Sequence, residues 1–477
     1  MQATLATLAT GAHRLTPALL QAVDHIHTFT HVCIIRRISC PSKGTHKMQP
    51  QQIVIVGGGV AGLEVATALG RRSARAGRTM AVTLVDRDSA HVWKPMLHTI
   101  AAGTRDVSQQ QTTFLAQARD AGFTYQPGEL AGLDRATREL RIAPLHAPDG
   151  RLLVPARRLA YDALVLAIGS EANDFGTPGV AAHCFKIDSR LQADAFNREV
   201  RLRMLQCLAQ DETLSIGIVG GGATGVELAA ELVQLAQAAV AYGAQGLPAR
   251  LSITLIESGP RLLAAFPQDI SAATQARLEA LGVRVRTATR VTEATADGFT
   301  LADGGQVAAS LKVWAAGVKA PGLLARLDGL EASHANQLLV HPSLQTTRDP
   351  RIFAIGDCAS LTLPGNQRPL PPTAQVAHQQ AQHLIRHLPG WLRGDKIPAF
   401  SYRDFGALVS LGDYDAFGSL GKFGLFKGLT IRGRLAQLSH ALLYRSHQAR
   451  LFGFWRGGLL WLVDRLNTRL RAPIRLD

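Results

Sequence analysis

Residues 52–72 read QIVIVGGGVAGLEVATALGRR, and this stretch decides the fold. Residues 53–56 form an apolar run of strand length, and apolar residues at helical spacing follow the glycines. Between them lie the positions of a G-x-G-x-x-G fingerprint, Gly57, Gly59 and Gly62. The first glycine allows a sharp turn, the second lets the backbone approach a pyrophosphate, and the third lets the helix sit close to the strand. The stretch therefore predicts a dinucleotide-binding turn.

An acidic residue stands where such a turn needs one. The next predicted strand, residues 81–85, ends in Asp86, which lies 24 residues after Gly62. This is close to the spacing of a carboxylate that binds a ribose hydroxyl. A glycine-rich turn in an unrelated α/β protein is the alternative, but the correct flanking strand and helix favour a nucleotide site.

The pattern returns at residues 214–237, LSIGIVGGGATGVELAAELVQLAQ. Its fingerprint positions are Gly220, Gly222 and Gly225. The following strand ends in Glu257, whose carboxylate would accept from both ribose hydroxyls and repel a 2′-phosphate, so NADH is expected rather than NADPH. Two fingerprints in one chain indicate a bound flavin and a diffusing nicotinamide. Duplication of a structural domain without a second ligand is the alternative.

Three further segments match this arrangement. Residues 161–170, YDALVLAIGS, and residues 312–317, KVWAAG, each predict a buried strand ending in a small-residue turn, at Gly169 and Gly317. Both turns would touch the cofactors with backbone. Residues 351–358, RIFAIGDC, predict a strand followed by Gly-Asp. The chain thus resembles the flavoproteins with two Rossmann-like dinucleotide-binding domains, the glutathione-reductase-like α/β fold. That resemblance implies that Asp357 binds the ribityl and phosphate region of FAD, a role compatible with a structural N-cap.

A narrower resemblance follows from four motifs. Dithiol reductases of this superfamily carry a cysteine pair just after the first fingerprint helix, where this chain has HVWKPMLHTIAAG, residues 91–103, without cysteine. That segment resembles the type II NADH:quinone oxidoreductases. So do GGGATGVELAAEL at 220–232, PLPPTAQVAHQQAQHL at 369–384 and FGALVSLGDYDAFG at 405–418. The resemblance runs from about residue 50 to the end.

The family resemblance implies roles for two charged residues. Lys94 would lie near a non-covalently bound FAD. Glu227 would sit at the junction of the nicotinamide and the isoalloxazine and serve in hydride transfer or proton management. A carboxylate in the first helical turn also favours the helix dipole, which is the alternative reading of Glu227.

The same resemblance places the helix at 374–391 on the quinone side. Ala374 and Gln375 would approach the flavin ring. Gln375 and Gln379 would hydrogen-bond a quinone carbonyl, because a neutral amide donates without fixing a charge there. His378 lies between them and could relay protons, but we expect it to be merely solvated.

The chain length of 477 residues suits two or three domains. Residues 1–47 lie outside the resemblance and are either a disordered extension or upstream of a true start at Met48. The expected units are an extension at 1–47, an FAD domain at 48–170 and 335–400, an NADH domain at 171–334, and a quinone-side, membrane-anchoring region at 401–477.

The C-terminal region is strongly basic. Residues 420–477 hold eleven Lys or Arg against two acids, and they supply +9 of the net +15. If residues 451–466 form one helix, Phe452, Trp455, Leu459, Leu462, Val463 and Leu466 share one face. This pattern indicates an in-plane helix on an anionic lipid surface; packing on the core or on a dimer partner is the alternative. No run approaches the roughly 18 apolar residues of a spanning helix, and no nucleic-acid-binding module accompanies the charge.

The expected function is FAD-dependent oxidation of NADH with two-electron reduction of a membrane quinone in a respiratory chain. The sequence contains no recognisable metal site or proton channel, so no proton pumping is expected. The protein is expected to lie on the cytoplasmic face of the inner membrane. Alternatives are a ferredoxin or rubredoxin reductase, a sulfide:quinone reductase, which needs paired cysteines that the spacing of the five cysteines does not offer, or a non-catalytic redox sensor. A homodimer is left open.

Overall fold

Two parallel sheets carry the two fingerprint strands at their centres. The computed structural model describes residues 49–105, 111–412, 414–420 and 430–470. The first sheet has the order Ile352–Ala354, Ala163–Leu166, Gln51–Val56, Met80–Asp86 and Thr124–Pro127, with every neighbouring pair parallel. The second has the order Arg284–Arg286, Leu251–Ile256, Leu214–Val219 and Leu311–Trp314, again parallel throughout. Each fingerprint loop therefore opens at the carboxyl edge of its sheet, where doubly wound folds bind ligands.

A long helix follows each fingerprint. The first fingerprint helix is Val60–Arg75 and the second is Ala223–Val240. Their N-cap residues are Gly59 and Gly222, and neither helix has a side-chain cap. The amides of both first turns are thus available for an anionic ligand.

The chain crosses between the two sheets twice. Glu171–Ala172 follows the first sheet, Val318–Lys319 follows the second, and these two short strands pair antiparallel. Residues 352–354 then return to the first sheet. Residues 50–477 nevertheless group as one compact unit, so the domain boundaries at 170, 334 and 400 stay a prediction.

The remaining elements surround these sheets. Antiparallel strands are Ala90–Val92 with Gln111–Thr113; Leu130–Asp134, Glu139–Ile142 and Arg157–Ala160; Leu145–His146 with Leu152–Val154; Val291–Ala294, Gly298–Leu301 and Gln306–Ala308; and Gly406–Leu411, Asp415–Leu420 and Thr430–Arg432. Leu338–Leu339 pairs with Ala359–Ser360 in parallel. The other α-helices are Leu97–Ala102, Phe114–Ala121, Val180–His183, Arg190–Gln210, Leu247–Arg250, Gln268–Ala280, Ala374–Trp391, Arg434–Phe452 and Phe454–Leu470, and 3₁₀ turns lie at Lys94–Met96, Leu324–Arg326 and Gly356–Cys358.

Each sheet has its own buried core, and distant segments contribute to both. Leu97 and Ile100, which follow the first nucleotide motif, pack into the core of the second sheet together with Val409. Leu451, near the C-terminus, packs into the core of the first sheet. The motifs resembling the family are therefore held against both nucleotide-binding halves.

The C-terminal stretch is two helices rather than one. The first ends at Phe452, because Gly453 adopts φ +87°, a backbone conformation that glycine tolerates and other residues rarely adopt. The expectation of one helix over residues 451–466 is therefore wrong: Phe452 ends the first helix, and the other five residues of the predicted face lie on the second helix, which begins at Phe454. Among the described residues, no helix combines the length and apolarity needed to cross a bilayer.

Candidate active site

The first fingerprint turn is tight on its protein side and open on the other. Gly57 has φ +102°, and a Cβ there would overlap the carbonyl oxygen of Ala167. A Cβ at Gly62 would overlap the carbonyl oxygen of Gly57, whereas a Cβ at Gly59 would meet no atom within 4 Å. The backbone at Gly59 thus faces open space into which a phosphate group fits.

Asp86 is bonded to this turn. Its Oδ2 accepts from the amide of Gly58, and its Oδ1 accepts from the amide of Asp88 at 2.8 Å. Burial raises the pKa of Asp86, and these two amide hydrogen bonds oppose that rise. The carboxylate is therefore fixed beside the turn, where a ribose hydroxyl is expected.

A cavity of about 420 Å³ opens beside the first turn. This volume lies in the range of cofactor sites. The predicted FAD-binding residues in its lining are Gly57, Gly59, Asp86, Lys94 and Gly169.

Lys94 and Asp357 meet through Ser170. The Lys94 ammonium donates to the Ser170 carbonyl oxygen at 2.7 Å and to its hydroxyl oxygen at 3.2 Å. The Ser170 hydroxyl donates to Asp357 Oδ2 at 2.7 Å. Residues far apart in sequence thus form one polar network at the wall of the cavity.

The second fingerprint repeats the geometry of the first. Gly220 has φ +116°, and a Cβ there would lie 2.6 Å from the carbonyl oxygen of Ala315. A Cβ at Gly225 would overlap the carbonyl oxygen of Gly220, while one at Gly222 would meet no atom within 4 Å. The second turn is therefore also open at its middle glycine.

Glu257 occupies the place that Asp86 has in the first site. Its Oε2 accepts from the amide of Gly221 and its Oε1 from the amide of Gly259, both at 2.6 Å. Gly317 closes the neighbouring strand with φ +65°, and a Cβ there would lie 2.7 Å from the ring of Phe175. The predicted NADH-binding residues thus meet at one edge of the second sheet.

Glu227 is a buried residue of the helix that follows the second fingerprint turn. Its Oε1 accepts from the amide of Ser410 at 3.0 Å, and its Oε2 lies 3.2 Å from His98 Nδ1. Burial raises the pKa of Glu227 to about 8, Glu231 one helical turn away adds to this rise, and the Ser410 hydrogen bond opposes it. Burial therefore favours the protonated form of this carboxyl. His98 and Ser410 were not singled out from the sequence, although both lie in motifs that resemble the family.

The raised pKa of Glu227 predicts a pH-dependent stability. The pKa of Glu227 is about 8 in the folded protein and about 4.3 in an unfolded chain. The contribution of Glu227 to the free energy of unfolding is therefore fully present below about pH 4.3 and is lost as pH rises to about 8. Glu227→Gln, which mimics the protonated form, should remove up to about 1.4 kcal/mol of this loss per pH unit. Denaturant unfolding between about pH 5 and about pH 8 measures the difference.

A matched control is Glu199→Gln, which changes a partly exposed carboxylate paired with Arg203. It should leave the pH dependence of unfolding unchanged. Parallel stability profiles for Glu227→Gln and the parent protein would contradict the protonated state of Glu227.

The two predicted quinone-binding glutamines lie on the helix Ala374–Trp391, named the AQ helix, and differ in their hydrogen-bond partners. Gln379 donates to the carbonyl oxygen of Arg403 at 2.7 Å and accepts from its amide at 3.0 Å. The Gln375 carbonyl accepts from the Tyr402 hydroxyl and the Phe405 amide at 3.3 and 3.4 Å. Within the described residues its Nε2 has no recorded partner. Gln375 is thus better placed than Gln379 to donate to a ligand, and Ala374 begins the helix beside it.

A buried charge cluster was not foreseen. His378 is not merely solvated, because its Nδ1 lies 2.6 Å from Oε2 of Glu64 on the first fingerprint helix. His447 approaches the other oxygen of Glu64 at 3.0 Å, and His91 lies 3.0 Å from His447. No local pattern signals these contacts, since they join residues up to 383 positions apart.

Comparison with known proteins agrees with this geometry. The sequence profile of the pyridine nucleotide-disulphide oxidoreductases matches residues 51–381, and the chain belongs to that class. Within the class it belongs to the type II NADH:quinone oxidoreductase family: it is 41% identical over 445 residues to the type II NADH:quinone oxidoreductase of Haemophilus influenzae, a match covering 89% of this chain and 100% of that relative.

One further relative and one solved structure are also similar to this chain. The type II NADH:quinone oxidoreductase of Staphylococcus aureus is 27% identical over 376 residues, covering 77% of this chain and 89% of the relative. The NDH2 of Plasmodium falciparum, solved in complex with NADH, superimposes with a TM-score of 0.76 at 19% identity over 89% of this chain and 99% of that one. The predicted α/β fold class and family are confirmed.

Proposed function

We propose that this chain uses bound FAD to oxidise NADH and reduce a membrane quinone by two electrons, without pumping protons. The observation that carries the proposal is the pair of fingerprint turns, each open at its middle glycine and each bonded to an acid at the end of the next strand. One such turn would serve a simple dehydrogenase. Two turns in a chain of this family support a resident and a visiting dinucleotide.

The first site fits FAD. The open backbone at Gly59 and the uncapped helix behind it would receive the pyrophosphate. Asp86 would bind the adenosine ribose, and the network of Lys94 and Asp357 would contact the flavin half. When bound there, FAD supplies the two-electron acceptor and donor that side chains lack.

The second site would bind NADH. Gly222 leaves room for the pyrophosphate, and Glu257 presents a carboxylate to the ribose hydroxyls. Glu227 is the fifth residue of the same helix, beyond its first turn, and burial raises the pKa of its carboxyl to about 8. It would hold or release a proton close to the reacting rings, with His98 3.2 Å away as its partner.

The AQ helix would form the quinone side of the site. Replacing Gln375 removes an amide that can donate to a quinone carbonyl, whereas replacing Gln379 breaks a contact with the Arg403 backbone. We expect Gln375→Leu to slow reoxidation of the reduced enzyme by quinone about tenfold, the effect of one hydrogen bond. Its reduction by NADH should be unchanged. Stopped-flow absorbance separates the two half-reactions.

The Gln379→Leu variant serves as the matched change on the same helix. It should weaken the packing of residues 403–405 and lower thermal stability without a selective effect on quinone. Equal slowing of both half-reactions by Gln375→Leu would count against a quinone role for Gln375.

A lipid surface would be the docking partner of the last helix. Trp455, Leu459 and Leu466 are 85%, 62% and 50% exposed, and Phe454 is also exposed. Burying such side chains in a headgroup region is favourable, and the excess of cations in residues 420–477 adds attraction to anionic lipids. This supports peripheral attachment to a membrane surface, and the cytoplasmic face of the inner membrane stays a prediction. A homodimer stays a prediction.

The competing functions differ in the electron acceptor. Of the described cysteines, Cys184, Cys207 and Cys358 are free, and burial raises the pKa of the Cys184 and Cys358 thiols to about 11. Unreactive, unpaired thiols disfavour the sulfide:quinone reading. Steady-state oxidation of NADH with a soluble quinone, with ferredoxin or with rubredoxin as the electron acceptor tests the ferredoxin and rubredoxin reductase alternatives. Turnover is expected with quinone; turnover with a protein acceptor alone would overturn the proposal.

A further inference from the structure

A chain of hydrogen bonds runs from the first fingerprint turn to the C-terminal part of the fold. The Gly58 carbonyl oxygen lies 2.9 Å from His91 Nδ1, His91 Nε2 lies 3.0 Å from His447 Nε2, and His447 Nδ1 lies 3.0 Å from Glu64 Oε1. The three side chains are at most 4% exposed. Gly58 and His91 line the FAD cavity. These four residues are named the Gly58–Glu64 chain.

The directions of these bonds follow from the Gly58 carbonyl, which can only accept. His91 must therefore carry its proton on Nδ1. Burial lowers the pKa of His91 to about 3, so it is neutral and its Nε2 is a bare acceptor. His447 must then donate from Nε2.

The next contact needs one more proton. With a proton already on Nε2, a neutral His447 would turn a bare Nδ1 towards the Glu64 carboxylate, and two acceptors would face each other at 3.0 Å in a buried site. One proton between His447 and Glu64 satisfies both atoms. This proton also makes the Gly58–Glu64 chain neutral. Loss of the proton would leave a buried charge of about −1 on these residues.

Three further polar groups surround Glu64. His378 Nδ1 and Gln382 Nε2 reach its other oxygen at 2.6 and 3.2 Å, and the Arg450 guanidinium lies 4.0 Å from Oε1. Burial raises the pKa of Glu64, but the hydrogen bonds from His378 and His447 outweigh it and bring the pKa to about 2. Burial, together with the charges of Arg450 and His378, lowers the pKa of His447 despite the hydrogen bond to Glu64. The bond directions nevertheless require one proton on the pair, and the proposal rests on them.

We propose that Glu64 and His447 are positioning residues for the FAD-binding turn: they share one proton, and that proton holds the Gly58 carbonyl in place through His91. The inference rests on the proposed FAD site. Asp86 holds the amide of Gly58 from one side, and His91 holds its carbonyl from the other. The turn that would receive the pyrophosphate is thereby clamped to the helix Arg434–Phe452.

This arrangement links FAD binding to pH. The protonated Gly58–Glu64 chain holds the turn, so the affinity for FAD is highest below the apparent pKa of the Gly58–Glu64 chain. As pH rises past that value the proton leaves, the hydrogen bond between His447 and Glu64 breaks, and a buried negative charge is left on the first fingerprint helix. Affinity for FAD should therefore fall with rising pH, by at most tenfold per pH unit for one linked proton.

Two substitutions separate the effect of the shared proton on FAD binding from the effect of the hydrogen bonds. In Glu64→Gln the amide can donate to a bare Nδ1 of His447 while its oxygen accepts from His378. This keeps the chain bonded without a titrating proton. His447→Leu instead leaves His91 Nε2 and Glu64 without their partner. Leu443→Ala is the control on the same helix, at a side chain that is 52% exposed.

The experiment is the dissociation constant of FAD from the full chain between about pH 6 and about pH 9, followed by flavin fluorescence. The parent protein and Leu443→Ala should weaken as pH rises. Glu64→Gln should match the parent within about threefold at neutral pH and lose its pH slope. His447→Leu should release FAD about tenfold more readily at neutral pH.

Two results would overturn the inference and leave the FAD site standing: a parental pH slope in Glu64→Gln, or parental FAD affinity in His447→Leu. If His447→Leu does not fold, the slope of Glu64→Gln decides alone. Failure of the parent protein to bind FAD at every pH would instead overturn the proposed function.

Discussion

Gly59→Val should fold normally and emerge from purification without FAD. A Cβ at Gly59 meets no protein atom within 4 Å, and its backbone is extended at φ −66° and ψ −167°, which valine tolerates. Nothing in the protein resists the larger side chain. The space it fills is the one proposed for the pyrophosphate, so FAD affinity should fall by at least about a hundredfold, as a clash or lost anion site would produce. Flavin absorbance relative to protein absorbance measures the effect.

Gly222→Val is the reciprocal control, because Gly222 has the same open geometry in the second turn. It should retain FAD and lose NADH-dependent reduction. The pair of variants therefore assigns one ligand to each turn. Full FAD content in Gly59→Val, or loss of FAD in Gly222→Val, would contradict the assignment.

Glu257→Gln combined with Ser258→Arg should convert the preference for NADH into one for NADPH. The amide oxygen of the introduced glutamine can still accept from the Gly221 amide, while the hydrogen bond from the Gly259 amide is lost. The charge that repels a 2′-phosphate is removed. The introduced arginine supplies a cation for that phosphate. We expect the ratio of kcat/KM for the two coenzymes to change by about a hundredfold, or roughly 3 kcal/mol. Steady-state kinetics with both coenzymes give the ratio.

Ser258→Arg alone is the control. It retains the Glu257 carboxylate and should shift the ratio far less. An unchanged ratio in the double variant would place the coenzyme ribose away from Glu257.

The two fingerprint turns could be predicted from the sequence because most of the contacts that shape them are local. Gly57 and Gly62 are required by carbonyl oxygens within a few residues or on the adjacent strand, and Asp86 ends the neighbouring strand. Fingerprint spacing therefore carried most of the information about the two halves.

The rest depended on contacts between distant segments. Glu64 reads as one more residue of a fingerprint helix, and only the packing of the helix Arg434–Phe452 brings His447 to it. The engagement of Gln379 by Arg403 likewise requires the loop after the AQ helix to return. The break at Gly453, which has φ +87°, was not expected from the apolar pattern of residues 451–466, and Leu451 just before it packs into the first core.

The most direct measurement is the absorbance of the purified protein when NADH and then quinone are added without oxygen. A tightly held flavin facing a visiting nicotinamide predicts a yellow protein that bleaches within one turnover of NADH and regains its colour when a soluble quinone follows. A colourless protein that takes up no added FAD, or a yellow one that NADH leaves unbleached, would contradict the two-site arrangement.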